Sequence, residues 1–342
     1  MTDFFAALIE QSFLQTALLA GLLASIGTGL IGSFVVVKRI AFLAGGIAHS
    51  VLGGMGAALY LGLDPLAGAL AAAVVAALII GWVRLTWSAQ EDTLIGAVWA
   101  IGMAIGILFI TKTPGYSSDL MSYLFGNILL VPRQDLWFMA SLDVLLLVVI
   151  GLFYRQLLAV SFDEEHARLR GINVPAYYLL LLILVAVTVV LLIQIVGLIL
   201  VIALLTLPAA VAGHYVHSLG RMMVLAVLLG ALLTSVGLAS AYGPDLPVGP
   251  TIILLAALAY LVSALATHFL ARRRARRAVT AVQREPKGSS PQPRDASGIG
   301  QGFGCHPAAR ASQAGAPGVD AARGGDESAG PHEGSGRTGR PV

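Results

Sequence analysis

Ser161-Phe-Asp-Glu-Glu-His-Ala-Arg-Leu-Arg-Gly171 is the only strongly charged stretch in roughly the first 270 residues, and long apolar runs lie on both sides of it. Read by itself, it is a short helix with its own start and stop. Asp163 is an N-capping residue type, Glu164 and Glu165 suit the positive end of a helix dipole, and Gly171 can end the helix. The pattern predicts a helix over 164–170; an ordinary hydrophilic loop is the plainer alternative. A charged segment between membrane spans must lie in water, and its two arginines favour the cytoplasmic side. The fold then reads as a membrane bundle with one aqueous protrusion, a place where something soluble can take hold.

The rest of the chain agrees. It has 342 residues, 57% apolar and 11% charged, where soluble domains carry about 25% charged residues. Its mean hydropathy is +0.86. Apolar runs fall near 13–37, 40–62, 66–85, 93–111, 136–153, 176–194, 197–216, 222–241 and 250–270. Each is long enough to cross a hydrocarbon layer of about 30 Å. The stretch 176–216 is too long for one span and divides at Gln194 and Gly197. The expected fold is therefore an all-α, polytopic bundle of eight or nine transmembrane helices. Eight is the count if one run is re-entrant or two are pieces of a broken helix. The single cysteine, Cys305, excludes a disulfide framework and a cysteine-rich zinc site. With no positive n-region, the first span is expected to act as its own insertion signal.

Charge sets the expected topology. An outside N-terminus places Lys38, Arg39, Arg84, Arg155, Arg168, Arg170, Arg221 and the cluster Arg272, Arg273, Arg274, Arg276 and Arg277 inside, with only Lys112 and Arg133 outside. The reading is N-out and C-in. Asp64-Pro65 and Gly243-Pro-Asp-Leu-Pro247 become external turns, and Ser118–Leu130 an external amphipathic or re-entrant helix. Residues 1–271 form the transmembrane domain, and 272–342 a basic, then Gly/Pro/Ala-rich cytoplasmic tail. Such a composition cannot bury enough surface to offset the entropy of ordering, so the tail is expected to be disordered. Cys305 and His306 within it read as solvated residues.

Few residues within the spans can carry chemistry. Ala17, Gly21, Ser25, Gly29 and Ser33 recur every four residues in the first span, as do Ala41, Gly45, His49, Gly53 and Ala57 in the second. Small faces of this kind let membrane helices pack closely. His49 thus points at a neighbouring helix or a cavity. It is a metal-ligand candidate, or else a histidine hydrogen-bonded to the next helix. Asp143, inside the fifth span, could pair with it in a transient cation site of nitrogen and oxygen ligands, or could reach water near the external interface. Gln194 reads as a tight external turn or a pathway contact. His214 and His217 share a helix face by spacing and read as interfacial, with metal ligation the alternative. No Gly-x-x-x-x-Gly-Lys-Ser/Thr motif occurs, so an ATP-driven process would need a separate ATPase.

Four stretches, Arg39–His49, Glu91–Ala100, Ser161–Gly171, and Gln194–Gly197 through Leu207–Ala210, resemble the permease subunits of the metal-ion ABC importers, the ABC-3 type permeases of zinc, manganese and iron. The resemblance covers roughly 10–270. It implies a multi-pass cell-membrane homodimer that is not itself an enzyme and holds no permanent cofactor. A divalent metal ion would be the cargo, with ATP on a cytosolic partner subunit and an extracytoplasmic protein delivering the ion. It also implies that Glu164, Glu165, Ala167 and Gly171 belong to the helix that docks into the ATPase, and that His49 is the intramembrane histidine of the second helix. Many members carry an acidic residue four positions before that histidine; here the position is Gly45. Partners other than these proteins and lipid, nucleic acid included, are not expected. A permease for an iron chelate or cobalamin-like ligand, or a secondary transporter, is the alternative.

Overall fold

The computed structural model describes residues 7–86, 91–113, 126, 128–244 and 246–284. Its regular elements are α1 (Ser12–Lys38), α2 (Ala41–Tyr60), α3 (Pro65–Thr86), α4 (Glu91–Lys112), a 3-10 turn (Ile128–Leu130), α5 (Arg133–Phe162), α6 (Glu164–Leu169), α7 (Val174–Val196), α8 (Leu198–Tyr215), α9 (Leu219–Tyr242) and α10 (Val248–Arg284). Among the described residues there is no strand, and nine helices, all but α6, are long and apolar enough to cross a bilayer. The long run 176–216 resolves into two spans. Gly197 separates α7 from α8 with φ 89° and ψ 154°, a conformation open essentially to glycine. Of Ser118–Leu130, only Gly126 and the 3-10 turn fall within the described residues.

The spans alternate in direction. Arg39, Phe162, His214, His217 and Tyr260 line one cavity, so the ends of α1, α5 and α8 gather there. At the opposite end the Tyr242 hydroxyl donates to Gln11 Oε1 at 3.3 Å. Alternation gathers Lys38, Arg39, Arg84, Arg168, Arg170, Arg221 and Arg272 at the first end, called the basic end below, and Lys112 and Arg133 at the other. Asp64 starts α3, its carboxylate accepting from the backbone N–H groups of Leu66 and Ala67 at 3.4 and 3.1 Å. Helix α10 does not stop at the membrane: it carries the arginine cluster on to Arg284. The stretch 285–342, with Cys305 and His306, lies outside the described residues.

Helix α1 is the most enclosed span, packed against α5, α7, α8 and α9. Its small face does what the four-residue spacing implies: Gly21 meets Thr234, and Gly29 meets the backbone of Val227, both on α9. Helices α2 and α4 run parallel, and glycines bring their backbones together. A Cβ added at Gly53 would stand 2.8 Å from the Gly102 carbonyl oxygen, and one at Gly56 2.6 Å from that of Gly106. With no hydrophobic drive between helices in lipid, this close packing holds the pair together.

At the basic end α5 runs on to Phe162, well past the expected apolar run. Asp163 then caps α6, accepting from the His166 N–H at 2.9 Å. The short helix closes as its composition implies: Ile172 N–H donates to Ala167 O at 3.1 Å across Gly171, whose φ is 76°.

Candidate functional site

The glycine contacts between α2 and α4 fix what lies one turn away. Four residues before Gly53 stands His49, and three before Gly102 stands Trp99. The imidazole lies flat on the indole, with centroids 4.0 Å apart and planes 9° from parallel. Phe42 closes the other flank of Trp99, tilted at 6.1 Å, and the indole Nε1–H donates to the Met103 sulfur at 3.1 Å. His49 is half-buried, and no hydrogen bond to its ring occurs among the described residues. Stacking fixes the plane of the ring while leaving its nitrogens, the atoms that bind metal, uncommitted. One turn before it, a Cβ at Gly45 would meet no atom within 4 Å. The histidine therefore borders open space on its own helix.

Asp143 occupies a different interface. It is 5% exposed, and its Oδ1 lies 3.0 Å from where a Cβ on Gly27 of α1 would stand, near Leu146 and Leu192. Its other oxygen, Oδ2, has no hydrogen-bond partner among the described residues. The structure thus seats His49 between α2 and α4, and Asp143 where α5 meets α1 and α7. Among the described residues no group of three or more His, Cys, Asp or Glu side chains converges on a metal-sized space.

On α6 the residues separate by face. Ala167 is fully buried against the bundle. Glu164 forms an ion pair with Lys38. Glu165, Arg168 and Gly171 are exposed, and between them Leu169 is 87% exposed, with Phe162 nearby at 62%. An apolar side chain held out into water beside charges is a ready contact for another protein.

His214 and His217 do not share a helix, because α8 ends at Tyr215 and Val216 is extended. They line the same cavity of ≈ 700 Å³ with Arg39, Phe162 and Tyr260. His214 Nδ1 is 2.9 Å from Ser263 Oγ and its ring stacks on Tyr260, so that imidazole is already occupied. The Gln194 side chain lies outside the described residues. Sequence reading missed Trp99, Met103 and the inward role of Lys38. Gly102 and Gly106, spaced four apart like the small residues of α1 and α2, were the available signal for the α2–α4 contact.

Nine membrane-length helices among the described residues, a half-buried histidine between two of them and a capped, charged helix at one end define a multi-pass membrane permease. The chain belongs to the ABC 3 transport family, which it matches over residues 10–267. It is 49% identical over 255 residues to an uncharacterised membrane protein of a Synechocystis strain, covering 75% of this chain and 91% of that one. It is 35% identical over 263 residues to the manganese import system permease protein ScaB of Streptococcus parasanguinis, covering 77% and 94%. Its fold is similar to PsaBC from Streptococcus pneumoniae in complex with a Fab, with a TM-score of 0.70 at 35% identity and coverage of 77% and 94%. As a member of this family the chain is a transport subunit and no enzyme, with ATPase activity in a separate partner.

Proposed function

We propose that this chain is the membrane pathway of an ATP-driven importer for a divalent transition metal ion: zinc, manganese or iron. The observation that carries the reading is His49, an ionisable side chain inside a span, oriented by Trp99 and bordering open space at Gly45. Family membership and the manganese permease relative support metal as the cargo. The ion passes His49, with Asp143 a second station on the route. A transport site must release what it binds, so few protein ligands are needed. The permease works as a homodimer with two cytosolic ATPases, each carrying the ATP and docking on Glu164–Gly171. An extracytoplasmic metal-binding protein delivers the ion. The gathering of arginine and lysine at one end supports an N-out, C-in orientation.

The test is growth of a deletion strain in chelator-treated medium, with other importers of these metals removed and zinc, manganese and iron added back singly. Rescue of the parent, but not the deletion, by low levels of one metal is expected, and a His49→Ala gene should fail to restore it. Equal growth of parent and deletion under every metal would overturn the reading.

A further inference from the structure

Lys38, the last residue of α1, was informative in the sequence only as a marker of orientation. In the structure its ammonium is turned inward, with the side chain 7% exposed. It donates to the Val160 carbonyl in the last turn of α5 at 2.6 Å and to the carboxylate of Glu164, the first residue of α6. It also stands 5.8 Å from the centre of the buried Tyr178 ring on α7, and Arg84 of α3 stands 5.0 Å from the centre of that same ring. One cation therefore touches α1, α5, α6 and α7, and through the shared ring it neighbours α3.

We propose that Lys38 is a positioning residue of the transport cycle, the link through which displacement of α6 reaches the helices that line the pathway. The inference rests on the reading that α6 receives the ATPase. Glu164 neutralises a charge that has almost no access to water. If α6 moved and Lys38 stayed, a buried ammonium would lose its counter-charge, which is strongly unfavourable. The ammonium is drawn after Glu164, and its bond to Val160 and its seat over Tyr178 pass that pull to the ends of α1, α5 and α7. Helix α1 passes Gly27 beneath the Asp143 carboxylate and is locked to α9 through Gly29. On the other side, Tyr178 and Arg84 extend the connection to α3, which packs against α2, the helix that carries His49. The link thus joins the aqueous helix to both interfaces that hold an intramembrane ionisable group. Glu165, Arg168 and Leu169 face outward and remain available to a partner while Glu164 faces the bundle.

The experiment uses the complete complex, permease with its ATPase and delivery protein, in proteoliposomes, and an ion the unaltered complex imports. Three quantities are read: co-purification of the ATPase, ATP hydrolysis, and ions imported per ATP. For Lys38→Met, the ATPase should still co-purify and hydrolyse ATP while the ions-per-ATP ratio falls by about ten-fold. Glu164→Gln, which keeps the side-chain shape, should lower the same ratio and serves if Lys38→Met fails to insert. Lys38→Arg, which keeps a cation able to donate to both Val160 and Glu164, should retain much of the ratio that Lys38→Met loses, a rescue that a merely structural residue would not show. An unchanged ratio in Lys38→Met and Glu164→Gln, loss of ATPase association in both, or a Lys38→Arg ratio as low as that of Lys38→Met would each overturn the proposal. The docking reading fails separately: in that case Leu169→Glu, on the outer face of α6, leaves ATPase co-purification intact.

Discussion

The ring of His49 lies on the ring of Trp99, 4.0 Å apart and within 9° of parallel. Both positions follow from the glycine contact between α2 and α4 one turn further along. The stack restrains an imidazole that has no hydrogen-bonded neighbour to orient it among the described residues. Replacing His49 by alanine should cut metal uptake by roughly ten-fold or more without loss of inserted protein. Trp99→Ala should give a partial defect, because the imidazole remains but its orientation is lost. Uptake by membrane vesicles, normalised to permease level, separates the two. Equal uptake by His49→Ala and the parent would remove His49 from the pathway.

The opening at Gly45 makes a gain-of-ligand experiment feasible. Since a Cβ there meets nothing within 4 Å, Gly45→Asp fits sterically, and a melting temperature that falls without metal and recovers with it is expected, because a carboxylate inside a span is costly until it is paired. A carboxylate one turn before His49 adds a hard oxygen ligand, which favours manganese over zinc. Competition uptake with both ions present should shift toward manganese in Gly45→Asp and not in Gly45→Ala.

Asp143 sets stability against function. Its Oδ2 is buried without a partner among the described residues, an arrangement that disfavours the folded state by about 1–3 kcal/mol. Asp143→Leu should therefore raise the melting temperature of the detergent-solubilised permease while lowering uptake. A drop in melting temperature with uptake retained would show that the carboxylate serves the fold and not the ion.

How much of this was legible in the sequence depends on the distance over which each feature is determined. The presence and order of the spans, the Asp163 cap, the Gly171 stop and the break at Gly197 are local properties, set by a few consecutive residues, and the structure places them as read. Where α5 and α10 end was less legible, because a helix can leave the membrane without a change of backbone conformation once polar residues replace apolar ones. The partners of His49, Asp143 and Lys38 were not legible, since they depend on which helices become neighbours. Trp99 is fifty positions from His49 and Glu164 is 126 from Lys38, and no spacing rule connects such pairs. Lys38 also misled by its type: a lysine at a span end ordinarily reaches for water, whereas this one is held by an anion inside the bundle.

On the outer face of α6, Leu169 is 87% exposed. Burial of that side chain in a partner is worth about 1.5–3 kcal/mol, so Leu169→Glu should lower the yield of ATPase co-purified with the permease by at least about ten-fold. Leu169→Met should be nearly neutral. Pull-down from solubilised membranes gives the comparison directly.

Helix α5 runs for 30 residues in two segments that meet at a kink at Phe153, where φ is −105° and ψ 17°. The turns after the kink carry the chain past its apolar run and into α6, while Leu157, Val160 and Ala167 keep both packed on the bundle. A soluble machine can clasp the outward face of that helix, where Glu165, Arg168 and Leu169 are exposed. The permease and its engine can then be made separately, one by the membrane-insertion machinery and one in free solution, and need meet only at a handle less than 10 Å long, the span of the six residues of α6.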